Sequence, residues 1–278
     1  MLRATCFEMR VIVATTVAVV LMAAGVAAQR WGRLYRAPPR FPTVASFDGG
    51  FNFCRGMFTS NRPEMGGQGW WTDYPDADIN FSIRLSELTK TRVSKADSDI
   101  PNHLVVRLTD DELFQCPYLH MEDVGTMSLS DEEISRLRDY LKKGGFLWVD
   151  DFWGTLAWEQ WESEIGRVLP PNEYPIRDLP RDHPFWRAMF EVKELPQIPS
   201  INSWSRNGGE TSERGEESAV PHIRGISDQH GRLMVLMTHH TDLSDAWERE
   251  GEDPRYFYLF SPNGYAVGIN VIMYAMTH

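Results

Sequence analysis

The chain has 278 residues, a net charge of −11 and 42% hydrophobic residues. That length buries a substantial core in one large domain or two small ones, and one is expected here. So acidic a molecule repels a phosphate backbone, which argues against nucleic acid as a partner.

At the amino end, Arg3 and Arg10 precede an uncharged run from Val11 to Ala28 that closes on Val26-Ala27-Ala28. A positive end, an apolar stretch and small residues before a cut form a secretory signal pattern, with cleavage expected before Gln29. An uncleaved inner-membrane anchor is the alternative, because about 18 apolar residues just span a bilayer. Either way the body is expected outside the cytoplasm, periplasmic or secreted. Removing residues 1–28, with Arg3 and Arg10 against Glu8, leaves 250 residues and takes the net charge to −12. Residues 29–48 carry Arg30, Arg33, Arg36 and Arg40 among Pro38, Pro39 and Pro42 and read as an extended lead-in. A single α/β domain is expected over 49–278.

Phe51 to Cys54 is a short apolar strand. From Asp78 to Leu88, Ile79, Ile83 and Leu88 with Phe81 and Leu85 give a helical apolar face that Asp78 would cap. His103 to Leu108 is nearly continuous and apolar, as in a strand buried within a parallel sheet. Ser130-Asp131-Glu132-Glu133 is a capping box, Ile134, Leu137 and Leu141 share a face, and Gly144-Gly145 supplies the stop. Phe146 to Val149 is another strand, ending in Asp150-Asp151. Trp158, Trp161, Ile165 and Val168 then recur at helical spacing, which predicts core packing. Asp182 to Trp186 reads as a helix entry with Asp182 as cap and Pro184 in the first turn. Asn202 to Glu217 is a polar surface loop. His222 to Ile226 and Arg232 to Met237 are strands joined by a loop over Ser227 to Gly231, and Gly264 to Thr277 is helical. Strands alternating with helices predict an α/β layered fold.

Several motifs carry a resemblance: Phe53-Cys54-Arg55, Gly69-Trp70, Thr72-Asp73-Tyr74-Pro75 with Asp78, Leu137 to Leu141 through Gly144-Gly145-Phe146 to Asp150-Asp151, His183-Pro184-Phe185, and Gly268-Ile269-Asn270. By these the chain resembles the bacterial family called domain of unknown function 4159. The resemblance implies a flavodoxin-like sheet, similar to class I glutamine amidotransferase domains with helices on both faces, and it implies no established activity.

Glutaminase chemistry would need a cysteine on a tight strand-to-helix turn whose following N–H stabilises an oxyanion. Cys116 is followed by Pro117, which has no N–H to donate, and Cys54 sits on a strand between Phe53 and Arg55. A thiol nucleophile is therefore disfavoured. The two cysteines form either one disulfide or two buried thiols. No cofactor is implied.

The polar candidates lie at strand ends and in the Gly-rich loop, where open α/β sheets bind ligands. Asp150 and Asp151 either face a cleft or cap the helix beginning near Thr155. Asp73 and Asp76 flank Tyr74-Pro75, where an Asx turn competes with a ligand role. Trp70 and Trp71 either stack on a sugar ring or plug the sheet edge. His239 and Asp242, with Asp245 beyond, offer the weak metal candidates, because adjacent histidines on extended chain face opposite ways. The leading expectation is a non-catalytic ligand-binding or interaction domain of the bacterial envelope, with an unidentified envelope ligand or protein partner. A carboxylate- or metal-dependent hydrolase and a structural component of an envelope assembly are the alternatives.

Overall fold

The apolar runs do pair as strands, and their order decides where a ligand can bind. The computed structural model describes residues 37–96 and 99–278; the expected signal segment and residues 29–36 of the lead-in lie outside the described residues. Pro39 to His278 form one compact unit. In chain order its elements are β1 (Phe53–Met57), β2 (Thr59–Ser60), α1 (Asp76–Leu88), β3 (His103–Arg107), β4 (Tyr118–Glu122), β5 (Met127–Ser128), α2 (Asp131–Lys142) and β6 (Phe146–Asp150). There follow α3 (Gly154–Val168), β7 (Arg177–Asp178), α4 (Ile201–Arg206), β8 (His222–Ser227), β9 (Leu233–His239), α5 (Asp245–Glu248) and α6 (Pro254–Thr277).

Seven strands form one sheet in the order β3-β1-β4-β6-β9-β8-β7, the first five parallel and the last two added antiparallel. Counting only the parallel strands in chain order, the sequence across the sheet is 2-1-3-4-5, the flavodoxin-like order whose switch point falls between the first and third strands, here β1 and β4. Side chains alternate across the pleat. Phe53, Tyr118, Phe146 and Trp148 face one layer, where they meet Phe81 of α1, Trp247 of α5 and Tyr274 of α6. On α2 the buried stripe is Ile134, Leu137 and Leu141, and on α3 it is Trp161, Ile165 and Val168, as their spacing predicts.

Local chemistry accounts for the boundaries. Ser130 and Glu133 form the reciprocal capping box of α2, and Gly144 stops it at φ +108°. The helix α1 begins at Asp76, two residues before the expected start, and Asp78 is not its cap: it lies wholly buried on Arg55. At the 183–187 turn the cap is the His183 ring, which accepts from the Phe185 N–H, and not Asp182; the turn is a single 3₁₀ turn. The closing helix is longer than expected because Asp253 caps it and Pro254 opens it. Pro262 is tolerated inside α6; the carbonyl it leaves without an N–H belongs to Tyr258, which is exposed to water. No described helix is long and apolar enough to cross a membrane.

The cysteine alternatives resolve: Cys54 on β1 and Cys116 just before β4 are joined in a disulfide between residues 62 apart in sequence. The bridge sits near the amino ends of the strands, so no thiol of the described residues is available as a nucleophile. Thiol titration of the unfolded protein is expected to find neither cysteine until reductant is added. Opening a loop of this length is expected to lower stability by roughly 2–4 kcal/mol. Two free thiols before reduction would contradict the pairing.

Candidate functional site

One buried cation ties the middle of β1 to the carboxyl end of β4. Arg55 on β1 is fully buried and donates to Asp78 of α1, to Glu122 at the end of β4 (2.6 Å), and to the carbonyls of Thr72 (2.8 Å) and Trp70 (3.4 Å). Burial alone would depress a guanidinium, but Asp78 and Glu122 reverse it and hold Arg55 charged. Burial likewise pushes Glu122 upward, yet Arg55 and the His120 ring at 2.8 Å overcome it and bring Glu122 down to about 2. Ser244, ahead of α5, closes the network on the His120 ring at 3.2 Å.

Because Arg55 grips the carbonyls at Trp70 and Thr72, it fixes the Gly-rich turn above the sheet. There Gly69 donates its N–H to Asp123 at 2.6 Å. Gly67 must be glycine: a Cβ would fall 2.2 Å from the Asp123 carboxylate. Trp70 is buried, stacks on Trp71 at 4.1 Å and does not line the pocket, so the pair plugs the turn instead of offering a platform.

Over this turn opens a pocket of about 150 Å³. Its floor is Asp73, Asp123, Asp151, Asp242 and Asp245, and Glu64 and Glu213 bring the lining to seven carboxylates against the guanidinia of Arg206, Arg214 and Arg249. Asp73, Asp242 and Asp245 place one oxygen each within 4.8 Å of one another. Asp245 is held by the Ile201 N–H (2.7 Å) and the Tyr256 hydroxyl (3.0 Å), and its own N–H donates to Asp242 (2.8 Å). Asp73, Asp123 and Asp151 all adopt left-handed backbone (φ +59°, +51° and +52°), which the short Asp side chain tolerates. Burial raises all five carboxyls, and like charge adds to it: Glu248 on Asp73, Glu213 on Asp151, and Asp151 with Asp73 on Asp242. Asp123 reaches about 7 by burial with Glu64 adding, and Asp245 about 7 by burial with Glu248 adding.

The candidate residues divide accordingly. Asp73, Asp151 and Asp242 converge in the pocket; Asp76 is exposed on the first turn of α1 and stands apart. Neither Asp150 nor Asp151 caps α3, whose Thr155 N–H is taken by Glu217 at 2.7 Å. Asp150 instead accepts from the Thr238 hydroxyl and the Leu243 N–H (2.8 Å), bracing the chain that carries Asp242. Asp151 turns into the pocket and accepts from the Trp153 indole at 2.9 Å. The expectation that His239 and His240 face opposite ways fails because His240 is left-handed (φ +63°), which brings the rings to 3.6 Å. His239 then packs on Phe152 and Trp158 away from the pocket, its ring held neutral by burial and by His240, down to about 2. It does not join Asp242 in the group of converging oxygens. The polar stretch 202–217 is more than a surface loop: Asn202, Arg206, Glu213 and Arg214 line the pocket. Glu122, Asp123 and His120 escaped sequence reasoning because β4 itself did; its alternation of Tyr118, His120 and Glu122 with Leu119 and Met121 was the available signal.

An open, mostly parallel α/β sheet with a polar pocket at its carboxyl ends defines the class of protein. The chain belongs to the family described as Domain of unknown function (DUF4159), whose sequence model matches residues 61–276. No curated protein matches the chain.

Two outcomes test this geometry. Replacing Arg55 by Met leaves two buried carboxylates without their cation and is expected to cost about 3–5 kcal/mol in urea unfolding; a loss below about 1 kcal/mol would contradict the bracing role. Asp150 is raised to about 8 by burial, with Glu122 adding. Its folded value thus lies above the unfolded one, so its contribution is full at low pH and is lost as pH rises through about 8. Stability is expected to fall by about 2 kcal/mol between roughly pH 6 and 8 on this account, and Asp150→Asn should flatten that slope. An unchanged slope in the variant would assign the pH dependence to other groups.

Proposed function

We propose that this chain is an exported ligand-binding domain of the bacterial cell envelope, taking a small polar ligand with amine or hydroxyl groups at the carboxyl-end pocket. The observation that carries the reading is the convergence of Asp73, Asp151, Asp242 and Asp245, from three separate segments, at the end of a sheet where open α/β folds take ligands. Amines and hydroxyls donate hydrogen bonds, which is what a floor of carboxylate oxygens accepts. Export is supported by the signal-like residues 1–28 and by the Cys54–Cys116 disulfide, a bond that persists in oxidising compartments. A binding role is favoured over thiol catalysis because both described cysteines are consumed in that bond.

One observation favours a hydrolase as the second reading. Asp123, lining the pocket and raised to about 7, has the value a general acid or base needs near neutral pH.

A panel of amino sugars, amino acids and cell-wall fragments, titrated against the purified protein by calorimetry, tests the first reading. At least one member is expected to bind, and Asp151→Asn should weaken it roughly tenfold, the loss of about one charge-assisted hydrogen bond. Asp76→Asn should leave it unchanged. Silence across the panel, or equal affinity in the Asp151 variant, would overturn it. Turnover of a panel member that is lost in Asp123→Asn would move the assignment to the hydrolase.

A further inference from the structure

Among the described residues, Asp73, Asp242 and Asp245 are the group whose ligand atoms converge tightly enough to share one ion. We propose that they bind a divalent cation that prefers oxygen, of the calcium, magnesium or manganese class; the inference rests on the ligand-binding reading of the pocket and names what holds the polar end of its ligand.

Three observations carry it beyond the mere presence of acids. First, Asp242 is only 2% exposed, yet its carboxylate takes a single hydrogen bond, from the Asp245 N–H to Oδ1, which leaves Oδ2 without a partner at the pocket lining. Second, Oδ2 of Asp73 is sealed from solvent and has no hydrogen-bond partner. A sealed carboxylate oxygen with nothing to accept, as at Asp73, costs about 1–3 kcal/mol or more, and an ion held between it and the open Asp242 oxygen recovers that cost. Third, the guanidinium that pairs with the group does not fill this role: Arg249 forms an ion pair only with Asp245, at 3.5 Å, and is itself bound by Glu248 and by Glu252 at 3.1 Å.

Donor chemistry selects the ion. All three groups offer hard oxygen, which suits calcium, magnesium and manganese; zinc and copper prefer nitrogen and sulfur. The neighbouring imidazoles stand outside the converging group: His239 lies in the aromatic layer, and the His240 ring stacks on Trp153 with its Nδ1 on the Val220 carbonyl at 2.8 Å. Size agrees. A pocket of about 150 Å³ holds several waters. That is below the ~300–1,000 Å³ of a site that swallows a whole small molecule. A cation with three carboxylates and a few waters fits it, and its open positions would face an incoming hydroxyl at the mouth, with Asp151 beside it to accept from an amine.

The test is calorimetric titration of the full chain, freed of metal by chelation, with CaCl₂, MgCl₂ and MnCl₂, alongside thermal unfolding. One saturable site per chain is expected for at least one of them, with a raised midpoint. Asp242→Asn, close to isosteric, and Asp73→Asn, which leaves the core untouched, should each weaken binding by roughly tenfold or more; the exposed Asp76→Asn should not. No saturable binding by the unaltered chain, or equal binding by both variants, overturns the proposal. Repeating the ligand panel with and without chelator separates the two readings. Ligand binding that survives chelation sinks the cation's role in holding the ligand and spares the pocket; cation binding with no organic ligand under any condition keeps the cation site and sinks the ligand-binding reading.

Discussion

Arg55 is the constraint on which the arrangement depends. One guanidinium, wholly buried, joins the two strands that flank the switch point, the first helix and the Gly-rich turn, because its donors reach Glu122, Asp78, and the carbonyls of Trp70 and Thr72 at once. Buried ion pairs often add little net stability, since desolvation cancels most of the attraction. Their effect here is positional. The five donors of Arg lie in one plane, so the turn that presents Asp73 is fixed relative to the end of β4, where Asp123 follows. Lysine, with a single compact charge, has no equivalent reach.

That network also divides the acidic residues into two tiers. The lower tier, Asp78 and Glu122, is neutralised by Arg55 and belongs to the core. The upper tier, Asp73, Asp123, Asp151, Asp242 and Asp245, has no buried cation of its own and is supported by backbone N–H groups and hydroxyls: Gly69 for Asp123, Ile201 and Tyr256 for Asp245, and the Asp245 N–H for Asp242. Beside Arg55, one residue earlier on β1, the Cys54–Cys116 bridge ties that strand to the chain just ahead of β4. β1 is thus joined to β4 twice, covalently ahead of the amino end of β4 and ionically at its carboxyl end through Glu122, which makes the switch point between them rigid ground for a site.

How much of this was legible depended on whether function interrupts pattern. The capping box at Ser130, the stripe from Trp158 to Val168 and the hairpin from His222 to His239 follow binary patterning and were readable from it. β4 was not, because its inward positions carry His120 and Glu122 where a buried strand is expected to be apolar; the residues that hide the strand are those that give it a role. The site shows the same split. Asp73, Asp151 and Asp242 stand out as strand-end or Gly-loop carboxylates, but Asp76, three residues beyond Asp73, points outward on a helix, and Asp78 belongs to Arg55. Sequence spacing has no information on which of three neighbouring aspartates a distant guanidinium selects. His239 was misplaced for a related reason: a left-handed His240 breaks the alternation that extended chain would impose.

The upper tier raises a question of balance. Two like charges about 4 Å apart repel by about 4 kcal/mol at the effective dielectric of a protein surface, and three carboxylates lie within 4.8 Å here. The chain could have removed this repulsion with a second buried arginine, as it did one layer below, and the Arg206, Arg214 and Arg249 side chains lie close enough to have served. Instead Arg214 is spent on the Met65 carbonyl, and Arg249 touches the group only at Asp245, at 3.5 Å, while it is bound by Glu248 and Glu252. A cluster whose one neighbouring guanidinium reaches a single member and is shared with other carboxylates stores repulsion that a proton or a bound cation relieves. Stability and occupancy are thereby coupled, and whatever enters the pocket with positive charge tightens the same turn that Arg55 holds from beneath.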